Sequence, residues 1–256
     1  MTSRRGAFTL IEMLVVVAVI ILLLGILTPA IIGARIEAAK AQTKVQIHSL
    51  VLAAEAYRTV MGSSPGPASN GAMAGSGPTG AENLVLGLLG CYKSGSGSAA
   101  SAWKNATDGS GPTLDNLDQI NNMSELQASR RHDAFYTPSE KELNTESSPD
   151  YGGTPLWEFV DFRFSPERPL LYFRANLSAN GQWNNSGSQS AYNAAQNSDY
   201  DPTISQNDLG KLVWNSELDA NGSLGNGDRV YRPDSFIIIS AGPDREFGTA
   251  DDLTNF

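Results

Sequence analysis

The sequence predicts an α+β fold in which one long N-terminal helix packs on a small antiparallel sheet with loop-rich insertions. Three observations support this prediction. The first 61 residues carry an apolar pattern that is continuous at first and then helical in its spacing. Segments rich in β-branched and aromatic residues come late in the chain, and Gly, Ser and Pro dominate much of what lies between. A helix followed by strands is typical of a segregated α+β arrangement.

Composition excludes several classes of protein. The 256 residues include 18 Lys and Arg against 27 Asp and Glu, a formal net charge of −9, and no basic block. We therefore expect no nucleic-acid partner, because such binding needs a positively charged surface. Cys91 is the single cysteine, which excludes an intramolecular disulfide and a cysteine-based zinc cluster.

The N-terminal segment can span a membrane. Arg4 and Arg5 precede a stretch of 22 uncharged residues, 13–34, and such a helix is about 33 Å long, against about 30 Å for a bilayer core. The positive-inside rule then places the N-terminus in the cytoplasm and the rest of the chain outside. The alternative is a cleaved secretory signal, but its apolar region would be shorter, about 7–15 residues.

Glu12 lies at the start of this apolar helix, where a carboxylate needs a partner. One partner is internal, since Thr9 and Glu12 have the spacing of a capping box. The other interpretation is that a further group pairs with the carboxylate. The two interpretations are compatible, and the sequence leaves both open.

Residues 4–15, RRGAFTLIEMLV, resemble the class III signal of type IV pilins and of the pseudopilins of type II secretion. The resemblance implies that prepilin peptidase cuts between Ala7 and Phe8 on the cytoplasmic side and methylates the new amine. Ala7 stands where Gly is more usual. The resemblance also implies that Glu12 meets the N-terminal amine of a neighbouring subunit, so that copies assemble into a fibre through their helices.

Beyond the membrane segment the apolar pattern becomes a stripe at steps of three and four residues. This spacing predicts that residues 35–61 continue the helix with one face against a folded domain. The stripe consists of Ile36, Ala39, Thr43, Ile47, Leu50, Ala54, Tyr57 and Met61.

Residues 62–150 read as a loop-rich, low-complexity region with short helices. One helix is expected over residues 82–90, ended by Gly90, with Cys91 half-buried after it. Glycine spacings that match a nucleophile elbow and a dinucleotide fingerprint occur within residues 62–80, but no strand precedes them. We find no catalytic set and expect no enzyme activity.

Residues 151–256 form the predicted C-terminal β region. Strand signals occupy residues 156–161, 170–174 and 235–240, each bounded by Pro or polar turns. The Asn, Ser and Gln-rich residues 176–198 read as an exposed insertion that could carry partner specificity.

The acidic C-terminal tail is a candidate metal site. Composition alone leaves a solvated tail and a Ca²⁺ site equally open, because the spacing is not that of an EF-hand. The tail also resembles the end of the major pseudopilin of type II secretion. That resemblance implies a Ca²⁺ loop over residues 240–252, with Asp244, Thr249, Asp251 and Asp252 as ligands.

Together these features predict a pilin-like, pseudopilin-type structural subunit of a type II secretion or type IV pilus-like fibre. Its segments are a cleaved leader (1–7), an assembly helix in membrane lipid (8–34), the amphipathic continuation and the outer region. The expected location is the inner membrane, with the C-terminal domain periplasmic or extracellular. Expected partners are prepilin peptidase, further copies, other pseudopilins and the inner-membrane assembly platform. The alternative is a monomeric membrane-anchored binding protein that uses the signal only for export.

Overall fold

The computed structural model describes most of the chain. The described residues are 9–67, 78–94, 102–109, 111–115, 122–145, 156–197, 204–218 and 223–256. The chain divides into two compact units, Met1–Ala41 and Gln42–Phe256. Ala7 and Phe8, the residues of the predicted cut, lie outside the described residues.

Helix α1 runs over Leu10–Met61, as the two joined apolar patterns predict. It is long and apolar enough at its N-terminal end to cross a membrane. Its residues 10–34 are all exposed, so no other part of the described chain covers this apolar surface. Such a surface is compatible with lipid or with neighbouring helices as its surroundings.

In the second unit, α1 buries one face in the core. Gln46 and Ala53 are buried there. Five residues of the predicted stripe are buried with them, namely Thr43, Ile47, Leu50, Ala54 and Tyr57. Ile36 is exposed and Met61 is only partly buried. The predicted amphipathic continuation is therefore confirmed over residues 43–57.

Short elements follow α1. Helix α2 (Gly80–Leu89) begins with a Thr79–Glu82 capping box and ends at Gly90, whose φ of +95° favours glycine. Cys91 is only 5 % exposed, so the prediction that it is half-buried was wrong. The reason is that it begins strand β1 beneath Leu86 and Leu156. The later helices are α3 (Met123–Ala128) and α4 (Gln206–Val213).

Three small antiparallel sheets complete the predicted α+β layout. Their orders are β1–β2, β3–β4–β5 and β6–β7–β8. The strands are β1 (Cys91–Ser94), β2 (Ala102–Asn105), β3 (Leu143–Asn144), β4 (Glu158–Asp161), β5 (Arg168–Pro169), β6 (Leu171–Arg174), β7 (Phe236–Ser240) and β8 (Leu253–Thr254). The three predicted strands correspond to β4, β6 and β7, each one or two residues shorter at its start.

The strand pair β6–β7 separates two hydrophobic clusters. On one side Tyr172, Phe236 and Ile238 pack with α1 and α2. On the other side Phe173 and Ile237 pack with Trp183 and Tyr192. Because side chains alternate along a strand, one pair of strands supplies both clusters.

The prediction that residues 176–198 form an exposed insertion is confirmed only in part, because residues such as Leu177 and Gln189 are exposed whereas others lie in the core. Trp183 and Tyr192 are fully buried within this segment. The polar composition is compatible with burial because amide side chains satisfy the backbone. For example, the Gln206 amide accepts from Ala194 N at 2.8 Å and donates to the Tyr192 carbonyl at 2.9 Å.

Candidate functional site

The first candidate site is the start of α1. Glu12 Oε2 accepts hydrogen bonds from Thr9 N and Thr9 Oγ1, both at 2.8 Å, and Glu12 N donates to Thr9 Oγ1 at 3.2 Å. The capping-box interpretation of Glu12 is therefore confirmed. Both contacts to the carboxylate use Oε2, and Oε1 accepts no hydrogen bond from the described residues. Capping thus leaves one carboxylate oxygen available to a second molecule.

The second candidate site is the loop between β7 and β8, residues 241–252. Asp251 holds it from both sides, since Oδ1 accepts from Thr249 Oγ1 at 2.7 Å and Oδ2 accepts from Asp244 N at 3.2 Å. Asp252 Oδ2 accepts from Gly248 N at 2.7 Å. Three of the four predicted ligands are thus linked by direct hydrogen bonds, and Asp252 follows next in the chain.

Asp252 has the least favourable charge environment in this loop. The pKa of Asp252 is raised to about 7, chiefly by burial and also by the negative charges of Asp244 and Asp251, against the lowering effect of backbone N–H donors. Its Oδ1 is buried and has no hydrogen-bond partner within the part of the chain that the structure describes. A buried, unpartnered carboxylate oxygen beside two other carboxylates would be stabilised by a cation.

The fit to calcium rests on these oxygens. Carboxylates and a threonine hydroxyl are hard ligands of the kind that Ca²⁺ prefers. Within the described residues, no three Asp, Glu, His or Cys side chains converge in metal-binding geometry. The loop therefore supplies a fitting donor set without presenting it as a converged cluster.

A buried polar cluster, which the sequence did not reveal, connects this loop to α1. The Asp161 carboxylate on β4 is fully buried and accepts hydrogen bonds from Thr43 Oγ1, from Ser240 Oγ at 2.7 Å and from Arg163 N at 3.2 Å. Ser240 is the last residue of β7, directly before the loop. One signal was available, because Thr43 is a polar residue within an apolar stripe.

Arg245 anchors the other side of the loop. Its Nε donates to the Pro166 carbonyl at 2.6 Å and its Nη1 donates to the Gly242 carbonyl at 3.4 Å. Its own φ is +65°, a left-handed conformation that costs energy for a residue with a side chain. The loop is thus held by side-chain contacts at the base, whereas Asp244 and Glu246 are exposed and Thr249 is partly buried.

Comparison with protein families gives one match. Residues 2–28 match the family described as the prokaryotic N-terminal methylation motif. Comparison of the chain with curated proteins and with solved structures gives no match. The matched residues include the predicted cut, Glu12 and most of the apolar stretch. This motif, the long apolar helix and the small antiparallel sheets fit a type IV pilin-like protein, a prepilin-peptidase substrate that a single N-terminal helix anchors in the membrane.

Proposed function

We propose that the chain is a pseudopilin-like structural subunit of a type II secretion or type IV pilus-like fibre. The single observation that carries the proposal is the methylation motif at residues 2–28, joined to a helix whose residues 10–34 are all exposed. An exposed apolar helix of this length needs lipid before assembly and neighbouring helices after it. The role is structural rather than enzymatic, and the outer domain faces the periplasm or the exterior.

Glu12 is the proposed assembly residue. Its capping box orders the first turn of α1 through Oε2 and leaves Oε1 for a partner. A methylated amine on Phe8 of a second copy would supply the complementary positive charge. In the low dielectric of a membrane, this attraction is much stronger than in water, so it favours the register that pairs the two groups. The assembly platform and other pseudopilins are the further partners in this proposal.

The test uses cells that contain an active prepilin peptidase. Wild-type chain, Glu12→Ala and the control Glu37→Ala are compared for recovery in the sheared fibre fraction and for cross-linking between copies. Glu37 is a matched control because it is an exposed glutamate on the same helix, and it pairs with Lys40 on that helix. We expect fibres from wild type and Glu37→Ala, and a loss of fibres from Glu12→Ala. A wild-type chain that remains monomeric in the membrane would instead favour the anchored binding protein.

We also propose that the loop over residues 240–252 binds one Ca²⁺ through Asp244, Thr249, Asp251 and Asp252. The support is the unpartnered Oδ1 of Asp252 and the concentration of acidic groups around it. When bound, the ion would neutralise these carboxylates and hold the C-terminal strand to β7. Extracellular calcium modules typically bind at about 10⁻⁴–10⁻³ M, which suits a site outside the cytoplasm.

A further inference from the structure

Among the described residues, no further strand pairs with the edges of the sheet β6–β7–β8. In an antiparallel sheet, alternate residues of an edge strand direct their N–H and C=O groups outwards. On β6 these residues include Tyr172 and Arg174. Groups of this kind are a template for strand addition by another chain unless something else pairs with them.

On β6 the side-chain amide of Gln196 takes the place of a neighbouring strand. Gln196 Oε1 accepts from Arg174 N at 2.9 Å, and Gln196 Nε2 donates to the Arg174 carbonyl at 3.2 Å. This pair of bonds satisfies the same donor and acceptor that a hydrogen-bonded strand residue would satisfy. Gln196 is 1 % exposed, so the pairing is shielded from water.

Asn197 covers the next outward group of the same edge. Its Nδ2 donates to the Tyr172 carbonyl at 2.9 Å, and its Oδ1 accepts from Ala81 N at 3.0 Å. The amide therefore joins the edge of β6 to the first turn of α2. Gly80 makes this approach possible, because a Cβ atom at that position would lie 1.8 Å from the Tyr172 carbonyl oxygen.

A third amide continues the pairing of β7 where β8 ends. Strand β8 pairs with Ile239 and Ser240 only. Beyond it, Asn255 Oδ1 accepts from Ile238 N at 3.0 Å and Asn255 Nδ2 donates to the Phe236 carbonyl at 3.4 Å. A side chain again supplies the contacts that another strand residue would have made.

From these contacts we infer that Gln196, Asn197 and Asn255 keep the sheet edges closed against strand addition by a second copy of this chain. Copies that associate do so through other surfaces, and β6 and β7 stay unavailable for pairing. The inference does not depend on the proposed function, since it concerns the second unit alone. It explains why amide residues are buried in a segment whose composition resembles a surface loop.

The test uses the full chain in detergent. In a Gln196→Ala/Asn197→Ala double variant, the Arg174 amide loses its acceptor. We expect that amide to exchange its hydrogen at least about tenfold faster than in wild type at low protein concentration. At higher concentration we expect added dimers and renewed protection at Arg174, because a second copy then occupies the edge. Asn255→Ala should give the same result at the Ile238 amide.

The control is Gln189→Ala, which removes an exposed amide from the same segment. It should leave exchange at Arg174 and the distribution of oligomers unchanged. Folded variants that keep the wild-type mass at every concentration would overturn the inference and leave the amides with a local role only. Variants that unfold would overturn it as well, because the amides would then serve the stability of the domain.

Discussion

The hydroxyl of Thr43 lies 3.0 Å from each carboxylate oxygen of Asp161, across 118 residues of sequence. Both residues are fully buried, and Asp161 also accepts from Ser240. A buried carboxylate needs such donors, because burial without them is strongly unfavourable. The interaction therefore joins α1, β4 and β7 at one point and positions the last residue of β7, directly before the C-terminal loop.

Thr43→Val tests this connection. The substitution keeps the shape of the side chain but removes a donor to a buried carboxylate, so we expect a loss of about 1–3 kcal/mol in unfolding free energy. Chemical denaturation of the full chain in detergent measures it. Thr59→Val is the control, because the Thr59 hydroxyl donates to the Glu55 carbonyl on an exposed part of α1. Equal stability of the two variants would contradict the role of Asp161.

Trp183→Ala tests whether residues 176–198 are part of the core. Trp183 is fully buried against the β6–β7 strands, so its truncation should cost about 3–5 kcal/mol. Leu177→Ala in the same segment should change stability by less than about 0.5 kcal/mol, because Leu177 is 67 % exposed. Thermal unfolding distinguishes the two variants. A similarly small loss of stability in both would mean that Trp183 is not part of the core and that the segment is an exposed insertion.

The pH dependence of the domain should reflect Asp252. Its pKa is raised to about 7, whereas the pKa of an aspartate in the unfolded chain is about 3.9. The folded state therefore holds an extra proton between these values. This contribution to stability is full below about pH 4 and is lost as pH rises through about 7. In calcium-free buffer, Asp252→Asn should remove this fall in melting temperature, and an unchanged pH profile would contradict the assignment.

Calcium should reverse the fall in melting temperature that is expected as pH rises. The ion binds the ionised carboxylate, so it competes with the proton on Asp252 and should bind more tightly at pH 8 than at pH 6. Calcium should raise the melting temperature of the full chain, and Asp251→Ala should abolish the increase. Glu217→Ala is a control, since Glu217 is an exposed acid outside the loop. No change in melting temperature or protease sensitivity with a chelator would reject the site.

Local patterns predicted what depends on neighbours in the chain. The span, the buried stripe of α1 and the three main strands all follow from the spacing of apolar residues. The capping box of Thr9 and Glu12 was equally local. These features need no knowledge of distant residues.

Contacts between residues that are far apart in the sequence were not predicted. Nothing near Asp161 indicates that Thr43 and Ser240 will meet it, because their proximity depends on how β4, β7 and α1 pack together. The burial of Trp183 was missed for a related reason. Its segment is rich in polar residues, and only the structure reveals that amides such as Gln196 satisfy backbone groups inside the fold.

The most direct test of the account is mass spectrometry of the chain recovered from the sheared fibre fraction of cells with an active prepilin peptidase. It combines assembly with processing in one measurement. We predict a subunit that lacks residues 1–7 and begins with a methylated amine on Phe8. A chain that occurs only in the membrane fraction, or a fibre subunit that begins at Met1 or Ala7, would contradict the account.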